Sequence, residues 1–181
     1  IRYRGTSMPI CNHILSDAIK APSPNHSGII APRFIVMHYT AGYTAASAVE
    51  TFESQHSSVS AHLTIDRDGT VYQHVPFNVK AWHAGPSQYE GYSGLNNHSI
   101  GIEFVNIGYL RQLNDGLFKD AYDNVIEAQD VGFRMVMEPH PRVGSGDLYW
   151  PLYSAAQIDA GHRIVQELIR MYPIRDIVSH E

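Results

Sequence analysis

A single cysteine, Cys11, is all the chain holds, which excludes an internal disulfide framework and is compatible with a reducing or an oxidising compartment. No run approaches the roughly 20 apolar residues of a membrane-spanning helix, so the sequence offers no membrane span. Charge is sparse, with 17% Asp, Glu, Lys and Arg, and the formal net charge of -5 comes with no basic block. That balance leaves no electrostatic footprint for nucleic acid. The single-stretch signatures of common catalysts are missing as well: there is no His-Glu-x-x-His, no Gly-x-Ser-x-Gly and no phosphate-binding loop. What the chain does have is histidine, eleven in 181 residues, the side chain that supplies metal ligands and general bases near neutral pH. With 44% hydrophobic residues, this length suits one good core and is short for two.

The stretch Phe34-Ile35-Val36-Met37-His38 is four apolar residues closed by a histidine, and reads as a buried strand delivering an imidazole to its end. Before it, residues 1–28 carry Pro9, Pro22, Pro24 and Gly28 without sustained periodicity. They are expected to form an irregular N-terminal arm, with one short helix near Ser16 to Lys20. After it, Ala48, Val49 and Phe52 place a helix over Thr44 to Gln55, with Ser47 and Glu50 as its capping box. Next, residues 60–66 and 70–75 alternate on either side of Asp68-Gly69, a hairpin signal. The alternation sets His62 opposite Leu63, so His62 either lines a site or makes a buried hydrogen bond. The second is favoured, because buried polar groups are generally paired.

Ala81-Trp82-His83-Ala84-Gly85 puts an aromatic ring and an imidazole in one loop, material for a ligand wall or for core. Ser99 to Asn106 reads as a strand with Ile100, Ile102 and Phe104 on one face and Glu103 on the other. A carboxylate inside so apolar a strand is costly unless it is paired, solvated or used, which makes Glu103 the best acid/base candidate in the chain. Residues 109–150 show only scattered signals: a helical turn within Ala121 to Gln129, a strand over Val131 to Met137, and a Pro- and Gly-rich loop from Glu138 to Gly146. They are expected to be an insertion against the core. Ser154 and Gln157 then form a capping box for a long helix whose apolar face runs through Ile158, Ile164, Val165, Leu168 and Tyr172 up to Pro173. A short strand, Ile174 to Val178, delivers His180 as the first strand delivers His38. The expected fold class is α/β, a mixed central β-sheet flanked by helices, with a cleft at one sheet edge.

Two imidazoles from strand ends and a carboxylate on a third strand are what a catalytic zinc site asks for. Spacing alone neither fixes the metal nor shows that the three residues meet.

Five blocks carry a resemblance to a known family. Val36-Met37-His38-Tyr39-Thr40-Ala41, Ser60-Ala61-His62-Leu63 through Tyr72-Gln73, Ala81-Trp82-His83-Ala84-Gly85, Ser99-Ile100-Gly101-Ile102-Glu103 and Ile177-Val178-Ser179-His180 occur in the order seen in type 2, zinc-dependent N-acetylmuramoyl-L-alanine amidases. The chain resembles the AmpD-like branch, whose fold is shared with phage lysozyme-like amidases and peptidoglycan recognition proteins. The resemblance covers roughly residues 30–106 and 150–181, and five ordered blocks are far more specific than one. It implies a zinc ion in an open groove and hydrolysis of the amide between N-acetylmuramic acid and the L-alanine of a peptidoglycan or muropeptide stem. Carried over by residue, His38 and His180 match the two histidine ligands and Glu103 the general base. In the phage-lysozyme branch a tyrosine precedes the hairpin histidine; here Ala61 stands there, which strengthens the case for Glu103. Trp82 and His83 fall in the block lining the substrate groove, Asn97 lies in the loop before the Glu103 strand as a further substrate contact, and His62 matches a position that is not a ligand.

The family's third ligand, an aspartate or cysteine, lies about ten residues beyond the second histidine, with an oxyanion-steadying lysine close to it. The chain closes on Glu181, so both are expected beyond it, in an amidase catalytic domain over residues 29–181 that is cut at its C-terminal end. Glu181 is not expected to substitute, since adjacent residues on an extended segment point to opposite faces. The N-terminal arm points to an exported or envelope protein rather than a cytoplasmic one. The alternative function is a peptidoglycan-binding module of the same fold without the chemistry. Retention of Glu103 favours the enzyme, because a binder has no need of a carboxylate there.

Overall fold

The computed structural model describes residues 8–114, 116–131, 134–140, 143 and 148–180. The first seven residues of the arm, part of the loop expected before residue 147, and Glu181 with the expectation attached to it lie outside the described residues.

Six strands make the central sheet, in the order Asp176–Ser179, Phe34–Tyr39, Ser99–Phe104, Leu63–Ile65, Val71–Gln73, Ile19–Lys20. Four of the five pairings are parallel and only Leu63–Ile65 with Val71–Gln73 is antiparallel, as the Asp-Gly hairpin requires. The apolar run of Phe34–Tyr39 is therefore a strand covered on both faces, the usual fate of a central parallel strand. One face carries Ile35, Ile100, Ile102, Leu63 and Ile65, packed on Ala160, Ile164 and Leu168 of the long helix Ala155–Met171. The other carries Phe34 and Val36 against Ala84 and Leu95, beside the helix Ala45–Glu53, whose Ala48 and Phe52 pack on Ala61. Because side chains alternate along a strand and residues paired in register share a face, His38 and Glu103, which are register partners, both emerge on this second face.

The long helix is held by its first turn. Ser154 accepts from the Gln157 backbone N–H at 3.0 Å and the Gln157 side chain accepts from the Ser154 N–H at 3.1 Å, the expected capping box. Gln157 is fully buried, and its amide also donates to the carbonyls of Ile65 and Val105 at 3.3 and 2.9 Å. The cap thus pegs the helix into the ends of two strands. Gly161 is required by packing: a Cβ there would lie 2.6 Å from the Phe104 ring.

Three local expectations change. The shorter helix is capped by Thr44, which accepts from the Ser47 N–H at 3.3 Å, and not by Ser47. No helix forms at Ser16 to Lys20: Ile10–Cys11 and Ile14–Leu15 make a tight hairpin on Asn12 and His13, both at positive φ, and Ile19–Lys20 joins the sheet beside Val71–Gln73. An open sheet edge offers backbone partners at once, including Ala21 N–H to the Gln73 carbonyl at 3.0 Å, whereas a lone helical turn pays the cost of nucleation. Residues 121–127 are not helical either. Val125–Glu127 is a strand, and the helical turn is confined to Ala128–Val131.

The insertion is a second sheet, antiparallel throughout, in the order Val125–Glu127, Leu117–Lys119, Leu110–Asn114, Leu148–Pro151, Met135–Met137. It has its own small core of Ile107, Leu110, Phe118 and Ile126. Asn106 ties its root to its last strand by donating to the Pro151 carbonyl at 2.9 Å, and Tyr43 donates to the buried Asp120 at 2.9 Å from the other side. Among the described residues no helix is long and apolar enough to cross a membrane.

Candidate active site

The C-terminal ends of three neighbouring parallel strands carry His180, His38 and Glu103, with Glu103 the register partner of His38. The pairing of the His180 and His38 strands continues past Ser179, with the His180 N–H donating to the Met37 carbonyl at 3.0 Å, so the two imidazoles are held with ring centroids 4.8 Å apart and planes at 59°. His38 is buried, and burial first, then the charge of His180, lowers its pKa to about 3. A neutral imidazole is the form that ligates a metal.

Glu103 emerges beside His38. Its Oε2 is enclosed and has no hydrogen-bond partner among the described residues, and burial raises its pKa to about 7. An enclosed carboxyl oxygen left without a donor costs stability, and a value near neutrality suits a group that takes a proton and returns it.

The two ends open into separate cavities. His38 and His180 face one of about 490 Å³, walled by Tyr39, Phe104, Trp150 and Tyr153. Glu103 faces one of about 540 Å³, rich in hydroxyls from Thr40, Tyr43, Ser47, Thr51 and Tyr122. The second sheet contributes to both, through Trp150 and Tyr122. Trp150 is steadied by its indole N–H donating to the Glu138 carbonyl at 2.9 Å, and it packs edge-on to Tyr109.

The other residues singled out in the sequence sit further back. His83 lies directly behind His38, with His83 Nδ1 3.0 Å from His38 Nε2, and burial first, then the charges of His62 and His38, holds its pKa well below the usual histidine range. Trp82 is half-buried and its indole N–H donates to the Ser27 hydroxyl at 3.1 Å, while Asn97 is exposed and accepts from Lys80 at 3.2 Å. Neither is among the residues lining the two cavities. His62 is fully buried and doubly bonded, donating to the Val79 carbonyl at 2.9 Å and accepting from the Gly101 N–H at 3.0 Å, which is the structural role favoured from its strand pattern. Residues missed in the sequence are Tyr39, Trp150 and Tyr153, and Asn96, whose Oδ1 accepts from the backbone N–H groups of both His83 and Ala84 at 3.0 and 2.8 Å. Tyr39 follows His38 directly and Tyr153 precedes the helix cap, so both were within reach; Asn96 looks like any loop asparagine.

Whether the site suits a zinc ion is decided by its donors. Two converging imidazoles, one held neutral by burial, and a nearby carboxyl without a partner fit such an ion. They supply two of the three protein ligands a catalytic zinc takes; among the described residues no group of three or more His, Cys, Asp or Glu is placed to hold a metal.

Comparison with known proteins places the chain in one family. The profile of the N-acetylmuramoyl-L-alanine amidase family matches residues 30–181. The 1,6-anhydro-N-acetylmuramyl-L-alanine amidase AmpD of Escherichia coli (strain K12) is 57% identical over 51 residues, which is 28% of this chain and 28% of AmpD. The N-acetylmuramoyl-L-alanine amidase CwlH of Bacillus subtilis (strain 168) is 34% identical over 117 residues, 61% of this chain and 42% of CwlH. The chain therefore spans less than half the length of these relatives. Among solved structures, a selenomethionine derivative of AmpD superposes with a TM-score of 0.66 at 24% identity, covering 96% of this chain and 86% of that one. The E. coli amidase AmiD, in complex with its substrate anhydro-N-acetylmuramic acid-L-Ala-D-gamma-Glu-L-Lys, gives 0.54 at 24% identity, covering 92% and 52%. At these identities the superpositions show a shared fold.

Proposed function

The chain belongs to the N-acetylmuramoyl-L-alanine amidase family, and from that premise we propose that it hydrolyses the amide between N-acetylmuramic acid and L-alanine in peptidoglycan or muropeptides, with zinc as its cofactor. The observation that carries this reading is Glu103: a carboxyl kept at the edge of neutrality, without a partner, one strand away from paired imidazoles. Binding alone gives no reason to retain so costly a group.

His38 and His180 would hold the zinc ion, which when bound supplies Lewis acidity that polarises the scissile carbonyl and acidifies water. The chain's own part is proton transfer. Ionised Glu103 takes a proton from the attacking water as its oxygen bonds to the carbonyl carbon. As the carbon–nitrogen bond breaks, Glu103 returns that proton to the departing nitrogen, leaving the free amine of L-alanine and a lactyl carboxylic acid that releases the water's second proton to solvent and becomes the carboxylate. A pKa of about 7 serves both directions of this exchange.

The two cavities suit the two halves of such a substrate. The aromatic wall of Tyr39, Trp150 and Tyr153 fits the apolar face of the sugar, and the hydroxyls around Glu103 fit the amides of the stem peptide. The test is release of stem peptide from muropeptides by the complete, zinc-loaded protein and its Glu103→Gln variant. The expected result is release by the first and a loss of about 10²- to 10⁴-fold in the second, with a chelator abolishing release and zinc restoring it. Binding without release would assign the chain to the non-catalytic recognition class instead.

A further inference from the structure

We propose that a relay of hydrogen bonds, from the Leu95 carbonyl through Ser99 and His83, fixes His38 as the Nε2-protonated tautomer, so that Nδ1 is the nitrogen it presents to the site and His83 is its positioning residue. The consequence for metal binding rests on the zinc reading given above; the tautomer itself does not.

The direction of each bond follows from what each atom is able to do. A carbonyl oxygen only accepts, so Ser99 Oγ, 2.6 Å from the Leu95 carbonyl, spends its one proton there. Its oxygen is left as an acceptor, and the group facing it is His83 Nε2 at 3.4 Å. His83 therefore carries its proton on Nε2. In a neutral imidazole the other nitrogen is then an acceptor. His38 Nε2, 3.0 Å from His83 Nδ1, must be the donor, which leaves the His38 lone pair on Nδ1.

The surroundings fit this arrangement. His62, the other imidazole against His83 with ring centroids 5.8 Å apart, has both nitrogens engaged by the Val79 carbonyl and the Gly101 N–H. The His83 ring lies over Gly101, where a Cβ would come within 2.5 Å of its Cγ and 2.6 Å of its Nδ1. Its backbone is clamped by Asn96. A ring seated against a glycine, behind a strand-end histidine, with its donor side aimed at Ser99, is built to hold His38 in one orientation. A second-layer partner of this kind fixes both tautomer and ring direction of a ligand.

The test separates the acceptor from the packing. Leucine and asparagine have nearly the same shape, and an asparagine oxygen falls close to the position of His83 Nδ1. His83→Leu fills space without an acceptor, and His83→Asn restores one. In metal-free wild-type protein, long-range nitrogen–proton NMR is expected to find the His38 proton on Nε2. In competition titrations zinc affinity is expected to fall about 10- to 100-fold in the leucine variant and to recover in the asparagine variant. A His38 proton on Nδ1, or a folded leucine variant that binds zinc as tightly as wild type, would overturn the proposal. Failure of the leucine variant to fold leaves the wild-type tautomer to decide. A wild-type protein with the proton on Nε2 that binds no zinc would uphold the relay and overturn the metal reading beneath it.

Discussion

Glu103 and the buried histidines pull the stability of the metal-free protein in opposite directions as pH changes. Glu103 has its pKa raised from 4.5 to about 7, so the folded state binds more protons than the unfolded one between those values and stability falls as pH rises through that window. His38, His62 and His74 have theirs lowered from 6.5 to about 3, 4 and 4, in each case chiefly by burial. For them the unfolded state binds more protons, so stability is lost as pH falls below 6.5. With His83 held low in the same way, four rings outweigh one carboxyl, and denaturant unfolding of wild type is expected to show stability rising from pH 4 to 6.5. The Glu103→Gln variant is expected to gain on wild type progressively from pH 4.5 to 7, and to hold that advantage above. Parallel pH curves for the two proteins would contradict the buried, unpaired carboxyl. At this scale the sequence was most legible where burial and polarity conflict, as at Glu103, or where an imidazole closes an apolar run, as at His38. It said little about Asn96 and Ser99, because their importance lies in which atoms they face across the fold.

Elements were legible in proportion to the length of their pattern. The long helix was read down to its capping pair because a full apolar stripe runs between Ser154 and Pro173. Gln157 does more there than a cap alone, joining the helix to the ends of two strands. Gln157→Ala leaves the Val105 carbonyl without its donor, leaves the Ile65 carbonyl with the Val105 N–H alone, and removes half of the capping box. Urea unfolding is expected to show a loss of about 1–3 kcal/mol, and a loss under about 0.5 kcal/mol, the range of ordinary surface changes, would show that the side chain is not a peg. The N-terminal hairpin escaped notice because its turn residues, Asn12 and His13, are both at positive φ without the glycine that marks such turns. The strand Ile19–Lys20 has only two residues, too few to show a period, and its place was decided by the free edge it found.

The whole molecule is a family core with a second sheet set beside the strand ends that carry His38, His180 and Glu103. The core was readable because its strands are apolar and its motifs occur in a fixed order. The second sheet was not, because its strands are three to five residues long, mostly exposed on one side, and interrupted by a register shift between Gln112 and Asn114. Its placement nonetheless gives it a part in the site, since Trp150 walls the cavity of His38 and His180. Trp150→Ala is expected to remove about 1 kcal/mol of aromatic contact, raising KM for a muropeptide roughly five-fold with kcat little changed. An unchanged KM, or a fall in kcat alone, would take the second sheet out of substrate binding. The most direct measurement of the central claim is stem-peptide release from a defined muropeptide by the complete, zinc-loaded protein, wild type beside Glu103→Gln. The reading of Glu103 as the proton carrier expects release by the first and about 10²- to 10⁴-fold less by the second, with both folded and both binding zinc. Equal release by the two proteins would contradict it.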